Sequence, residues 1–481
     1  MIAWTIYITF AGALLLLVLP RSAARWLALL TAAAGLAISC AAFLGIQDPG
    51  MLKTIVQVPW IPALGMSFHL AADGISLTMA VVTGLTGVSA VLFSWNTSRR
   101  QNEFFFWLLM VIGGSYGVFL SADLFLFFVF YELVIIPKYL LIATWGSTNK
   151  IYGAMKLTLY SFFGGALVLI ALIPACLSAG TFDIQQLSTH LFTPAFQHWA
   201  FPVMFLGFAV LAGMWPLHTW APTGHVAAPT AGSMLLAGVV MKLGAYGALR
   251  IAMNLFPDGF HAWRGLIAVI AMIGICYAAA VALKQRDLKF VIGYSSVSHM
   301  GFVLLGLATA QKFGVGGAVL QMFSHGIIAG LLFAVAGRMI YERTHTRDLF
   351  ALADMNLSRA IPFAAFTFVV ASAASMGIPG FSGFAAEITI LIGLWHAYPL
   401  LVPSAGIGMA LTAAFTLRAL RQSFFADKTP ATPLECVPIS VAEKCGACLL
   451  MTATLGVGLY PALLLDRIVP CVEAMRFLIK P

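Results

Sequence analysis

Charge is what this sequence has least of. Of its 481 residues only 9% are Asp, Glu, Lys or Arg, while 61% are hydrophobic and mean hydropathy is +0.97. An average soluble protein carries about 25% charged residues. Too few charges are present to cover so much apolar surface in water, and a disordered chain needs the opposite composition. Nucleotide signatures are missing as well: there is no G-x-G-x-x-G and no G-x-x-x-x-G-K-[ST]. The chain is therefore expected to bind no nucleotide or flavin of its own. Cysteine is sparse and scattered, at Cys40, Cys176, Cys276, Cys436, Cys445, Cys448 and Cys471. Cys445-Gly-Ala-Cys448 has no second pair or histidine partner and opens an apolar run, which argues against structural zinc and against an iron–sulfur cluster. Acidic residues number 17 against 26 basic ones, a net charge of +9. In a membrane protein that excess belongs to the loops of one face, so no nucleic-acid partner is expected.

What the sequence has in abundance is long apolar runs. A bilayer span takes about 20 mostly apolar residues. Candidate spans begin near Ile2, Trp26, Ile75, Phe104, Leu124, Tyr152, Phe201, Ala231, Leu266, Phe290, Gly317, Ile361, Leu401 and Ala447, fourteen in all. The chain reads as an all-α polytopic membrane protein. Residues 1–19 lack a basic n-region and a clear A-x-A site, so they read as a retained first helix. The loops after spans 1, 3, 5, 9, 11 and 13, with the adjoining helix ends, hold Arg21, Arg25, Arg99, Arg100, Lys150, Lys284, Arg286, Lys289, Arg338, Arg343, Arg347, Arg359, Arg418, Arg421, Lys428 and Lys444. Loops 2, 8 and 10 hold only Lys53, Arg250, Arg264 and Lys312. The odd loops should therefore face the cytoplasm of a bacterial inner membrane, or the equivalent side of another energy-transducing membrane. Both termini then lie on the outer side.

Two connections are longer than turns. Residues 47–72 carry the alternation Val56, Val58, Trp60, with Pro59 confining that strand to an edge, and predict a small outer-face hairpin. Residues 181–200 contain no Lys or Arg. Span 7 ends in Gly213-Met-Trp-Pro216, and span 12 is interrupted by Gly377-Ile-Pro379-Gly380. Proline removes a backbone donor and clashes with the carbonyl four residues back. Each break falls in the fourth span of a five-span block. Broken helices at matching places in two halves point to a transport path, and an odd block length turns the second block over. The organisation expected is 1–103 with the hairpin loop, 104–253 as a first repeat (spans 4–8), 262–426 as an inverted second repeat (spans 9–13), and 440–481 as span 14 and a tail.

Ionisable residues inside such spans cost at least about 2.5–3.5 kcal/mol each at mid-bilayer, so they are paired, hydrated or used. Glu132 lies in a stretch, 124–145, with no charge beside it; Lys242 is equally isolated in 235–248. Glu387 follows the break at Pro379, and His325 sits in the apolar run 317–335. Lys138 follows Pro137, and Lys156 lies one turn into span 6, where it can also snorkel to the interface. Carboxylate, amine and imidazole together suit a proton relay; fixed interhelical salt bridges are the alternative use of the same groups. His218, His225 and His299 read as helix-end residues with an interfacial role.

At these residues the chain resembles the antiporter-like membrane subunits of NADH:quinone oxidoreductase (respiratory complex I), of the subunit M or chain 4 type, which are relatives of Mrp antiporter subunits. The resemblance runs from about Trp60 to the C-terminus. It is carried by Phe68-His-Leu-Ala-Ala-Asp-Gly-Ile-Ser-Leu77, Tyr131-Glu132, Pro216-Leu-His-Thr-Trp220, Ala228-Pro-Thr-Ala-Gly-Ser233 and Lys242-Leu-Gly-Ala-Tyr-Gly247. It continues through Gln285-Arg-Asp-Leu-Lys289, Tyr294-Ser-Ser-Val-Ser-His-Met-Gly301, Ser324-His325-Gly326, Glu342-Arg-Thr-His-Thr-Arg-Asp348, and Gly377-Ile-Pro-Gly380 on to Glu387. The stretch from Glu342 to Asp348 looks like the M type in particular. The resemblance implies fourteen helices, two inverted five-helix repeats and broken helices 7 and 12. It implies proton translocation coupled to electron transfer in partner subunits, which would hold NADH, FMN, iron–sulfur clusters and quinone. It implies subunit L-like and N-like neighbours, and relay roles for Glu132, Lys242, His325 and Glu387. Mrp-type antiporter or membrane-bound hydrogenase complexes, and a structural subunit with a decayed channel, are the alternative settings.

The sequence departs from this pattern at one place. The family's helix-7 lysine, five residues before the P-L-H-x-W proline, is Leu211 here, and acidic positions nearby are Thr223 and Ala227. The usual ion pair to Glu132 cannot form. Glu132 is then protonated, hydrated or served by another cation, Lys138 being the only other basic residue on its helix.

Overall fold

The computed structural model describes residues 1–426 and 436–478; Lys428, counted above with the basic loops, lies outside the described residues. Among the described residues twelve helices are long and apolar enough to cross a bilayer. Trp4–Leu16 and the pair Pro362–Ser375 and Ser382–Ala397 add the first and the twelfth spans, so a helix occupies each of the fourteen apolar runs. Spans 8 (Thr230–Met253) and 11 (Lys312–Thr344) are enclosed on every side, and span 3 (Gly74–Phe93) nearly so, whereas spans 2, 13 and 14 lie at the periphery. Lipid accepts an apolar helix as readily as a protein interior does, so the central places go to the helices that carry ionisable side chains such as Lys242 and His325. Enclosure holds these polar groups together, away from lipid.

The same backbone corner occurs twice. Asp123 and Asp183 each cap a helix with a side-chain oxygen, and Asp287 and Asp348 do the same. Between the first pair, Leu124 N–H donates to Phe182 O and Ile184 N–H to Ala122 O, both at 2.8 Å. Between the second pair, Leu288 N–H donates to Arg347 O and Leu349 N–H to Arg286 O, both at 2.9 Å. The helix breaks repeat in the same way. Gly213 (φ 82°) and Gly377 (φ 69°) end their helices in the left-handed region. At one break Met214 N–H reaches Ala209 O at 3.0 Å, and at the other Ile378 N–H reaches Ala373 O at 3.1 Å. This is the glycine-capped helix end in which the residue after the glycine bonds back five positions. Asp123 and Asp287 are 164 positions apart in the chain, as are Gly213 and Gly377.

Residues 53–72 form the expected hairpin, strands Lys53–Ile61 and Met66–Ala72 pairing antiparallel with irregularities between Thr54 and Val56 and between Pro59 and Ile61. The hairpin is fastened to the first corner. Ser67 N–H donates to Asp123 Oδ2 (3.0 Å), and His69 Nδ1 lies 2.8 Å from Asp183 Oδ2 while its Nε2 meets Thr54 Oγ1 at 2.9 Å. Burial raises the Asp183 pKa, but His69 and the Gln186 N–H outweigh it and hold the carboxyl below its ordinary value.

Three of the basic residues counted with the loops and helix ends are buried. Lys289 Nζ donates to Ala228 O at 2.9 Å, Arg347 Nε pairs with Asp287 at 3.1 Å, and Arg250 Nη2 pairs with Asp73 at 2.5 Å. The tail after span 14 contains a further helix, Ala462–Glu473, which lies along the hairpin face. Its Arg467 Nε donates to Phe43 O (3.0 Å) and its Glu473 meets Lys312 at 2.5 Å.

Candidate functional site

Lys242 stands in a short α-helical stretch, Met241–Gly247, between two wider π-helical turns, Leu236–Val240 and Ala248–Met253. Such turns add a residue to the helix and leave backbone carbonyls off register. The Lys242 ammonium takes up one of them by donating to Ala237 O. Its other partner is His325 Nδ1 at 2.8 Å. A charged lysine donating to Nδ1 leaves the imidazole proton on Nε2, an assignment made from the hydrogen-bond network.

From His325 the polar groups continue. The His299 ring lies 5.5 Å from the His325 ring, centroid to centroid, with no direct hydrogen bond between them, and among the described residues His325 Nε2 has no partner. His299 Nδ1 stands 3.4 Å from Glu387 Oε1 and 3.3 Å from Gln321 Nε2, and Nε2 meets Ser375 Oγ at 3.2 Å. All four titratable groups, Lys242, His325, His299 and Glu387, are buried. Spans 8, 11, 10 and 12 each give one. Glu387 lies on the second half of span 12, and its carboxylate turns back onto the break, where a Cβ on Gly377 would stand 2.7 Å from Oε2. The break thus positions the end of the file.

His299 was placed at a helix end by sequence and is instead the middle of Leu288–Ala308. The signal available was the polar face Ser295, Ser296, His299 inside an otherwise apolar helix. His225 is likewise not interfacial: it is fully buried and stacked on Phe333 at 4.6 Å, and among the described residues neither ring nitrogen has a hydrogen bond of good geometry. His218 is buried too, again without one.

Glu132 and its surroundings form a separate group. Span 5 breaks at Val134 into Leu124–Leu133 and Ile135–Trp145, the disturbance expected from Pro137. Glu132 Oε1 is buried without a hydrogen-bond partner and rests where a Cβ on Gly165 would be. Lys138 is buried and lines a small cavity with Leu235, Leu236 and Val240 of span 8. It is within electrostatic reach of Glu132, yet among the described residues no ion pair joins them. Leu211 is buried beside the Gly244 backbone, so span 7 supplies no cation here. Lys156 is half-exposed, 5.8 Å over the Tyr152 ring, and stays outside the Lys242–Glu387 file.

Residues 121–412 match the family described as NADH:quinone oxidoreductase/Mrp antiporter, TM. NADH-quinone oxidoreductase subunit M of Rhodobacter capsulatus is 35% identical, over 97% of this chain and 94% of its own. The subunit of the same name from Escherichia coli is 35% identical over 97% and 96%. Among solved structures, a chain of respiratory complex I from Thermus thermophilus superposes with TM-score 0.90 at 29% identity, covering 98% of each chain. A chain of the Mrp complex from a Dietzia species has TM-score 0.86 at 22% identity, covering 98% of this chain and 97% of that one, and shares the fold.

Proposed function

We propose, from the premise that this chain belongs to the NADH:quinone oxidoreductase/Mrp antiporter family, that it is a proton-translocating membrane-arm subunit of complex I. Electron transfer from NADH to quinone takes place in partner subunits that hold FMN and iron–sulfur clusters. This chain moves protons in response, between subunit L-like and N-like neighbours in a bacterial inner membrane or its equivalent, with both termini on the outer side. Segments 104–253 and 262–426 are its two inverted repeats, between 1–103 and 440–481. The doubled aspartate corner and the doubled glycine-capped break support that division.

The observation that carries the reading is the file Lys242–His325–His299–Glu387. It joins the centre of span 8 to the break in span 12 through side chains on four spans. At 2.8 Å, Lys242 and His325 cannot both hold a positive charge in an apolar bundle. A positive charge arriving near Lys242 therefore drives a proton onto His325, through His299 and out at Glu387. The freed backbone of the broken helix admits water there. Glu132, Lys138 and Lys156 are the candidate input groups. Leu211 favours a second reading, a structural subunit whose input has decayed.

One experiment separates the two readings. Lys242→Ala in the assembled, reconstituted complex should lower NADH-driven proton uptake and coupled turnover by about tenfold or more, a typical loss for a positioned proton carrier. Unchanged proton uptake would leave only the structural role.

A further inference from the structure

The relay leaves unused the half of span 8 that runs from Lys242 to the hairpin face, and that half is filled in a particular way. Five buried aromatic rings close over it: Phe119 from span 4, Phe127 and Tyr131 from span 5, Phe208 from span 7 and Tyr246 from span 8. Tyr246 lies 5.1 Å from Phe119 and 6.5 Å from Phe127, and Phe208 lies 5.9 Å from Phe127 and 5.8 Å from Tyr131. Tyr246 Oη donates to Phe119 O at 3.0 Å and on its other side faces the Arg250 guanidinium. Gly247 makes the closure possible, since a Cβ there would come within 2.5 Å of the Phe208 ring.

One turn beyond Tyr246 stands Arg250, about 12 Å along the helix from Lys242 at 1.5 Å per residue. Its guanidinium pairs with Asp73, whose other oxygen accepts the Ser76 N–H at 2.9 Å. Behind the pair is a cavity of about 170 Å³ lined by Asp73, Arg250, Asn254, Gln185 and Ser188. Polar groups therefore reach inward from the hairpin face as far as Arg250 and the Tyr246 hydroxyl beside it, and the faces of the rings lie beyond.

We propose that the five-ring layer and the Arg250–Asp73 pair are a proton seal that closes the first repeat toward the hairpin face, so that a proton on Lys242 leaves only by His325, His299 and Glu387. The proposal rests on the relay reading above. A proton moves between titratable groups and the water beside them; toward Glu387 the side chains of His325 and His299 follow Lys242, whereas toward Arg250 close-packed rings intervene. Arginine cannot release its proton, and a fixed guanidinium in a narrow passage also repels an incoming one. Without the seal Lys242 would communicate with both faces through one repeat, and the proton gradient would run back through it.

The test uses the assembled complex in proteoliposomes, with passive proton permeability read under an imposed pH gradient without NADH, and the proton-to-electron ratio read with it. Phe208→Ala should raise passive permeability severalfold and lower the ratio, while Phe208→Leu, which keeps the layer filled and dry, should match the unsubstituted complex. The double variant Phe208→Ala/Lys242→Ala should return the leak to baseline. Wild-type permeability in assembled Phe208→Ala, an equal leak in Phe208→Leu, or a leak that survives in the double variant each overturns the seal. Should Phe208→Ala fail to assemble, Phe127→Ala carries the same expectation. Normal pumping by Lys242→Ala alone would overturn the relay instead, a result distinct from any of these.

Discussion

Two glutamates in this chain are seated against a glycine of another segment, Glu132 on Gly165 and Glu387 on Gly377. At Gly165 the requirement is space alone: an added methyl must push the Glu132 carboxylate aside. Gly165→Ala should cost about 1–3 kcal/mol of stability by overpacking. It should also lower coupled turnover if Glu132 feeds the relay, read as NADH-driven proton uptake normalised to assembled complex. Lys138 is the cation that the break at Val134 leaves buried between Glu132 and span 8. Lys138→Met is expected to reduce proton uptake and Leu211→Lys to restore part of it; unchanged uptake in Lys138→Met would show that Glu132 needs no partner cation. Glu132, Lys242, His325 and Glu387 were legible because an ionisable side chain alone in an apolar run stands out whatever its partners. His299 and His225 were not, because both lie where the reading depended on helix boundaries, which sequence fixes only to within several residues.

At the scale of elements, the hairpin buries its second strand and fastens it with side chains. Its Ser67 and His69 grip the aspartates that cap span 5 and the short helix Ile184–Thr189. Asp183→Asn removes a charged acceptor worth about 1.5–3 kcal/mol. Amide exchange in 53–72 should quicken about tenfold or more, since 1.4 kcal/mol is a factor of ten. Because the Asp183 pKa is lowered in the folded protein, its contribution is complete above the unfolded carboxyl value of about 3.9. It fades as pH falls through the lower folded value, so acid should loosen the hairpin only below about pH 4. The strands were readable from alternation and from Pro59. The helix Ala462–Glu473 was not: at twelve residues it is too short to span, and its pattern marks a surface helix, not an apolar run.

Across the whole molecule, the last span is tied back to the centre by one buried carboxylate. Glu443 of span 14 takes Arg338 at 2.6 Å and Arg343 at 2.8 Å from the end of span 11. Arg338 would keep Glu342, and Arg343 the carbonyls of Arg338, Val437 and Pro438, so losing the shared carboxylate should cost about 1.5–3 kcal/mol, the worth of a charged hydrogen bond. Glu443→Gln should therefore lower the thermal midpoint of the solubilised complex and release the 441–459 helix to proteolysis before the core. Span count and the two breaks were visible from apolar length and from Gly and Pro. The aspartate corners were not, because hydrogen bonds between residues 58 to 63 positions apart leave no local pattern.

Those corners have a consequence for which contacts each can lose. Asp123 and Asp287 each open a span with the same pair of side-chain caps. The two corners differ in what fastens them: Ser67 and His69 hold the first and Arg347 the second. The first therefore depends on the hairpin staying docked, and the second on a guanidinium that keeps its charge at any ordinary pH. Acid that protonates carboxylates reaches both, but only the first can come undone by the departure of a separate strand pair.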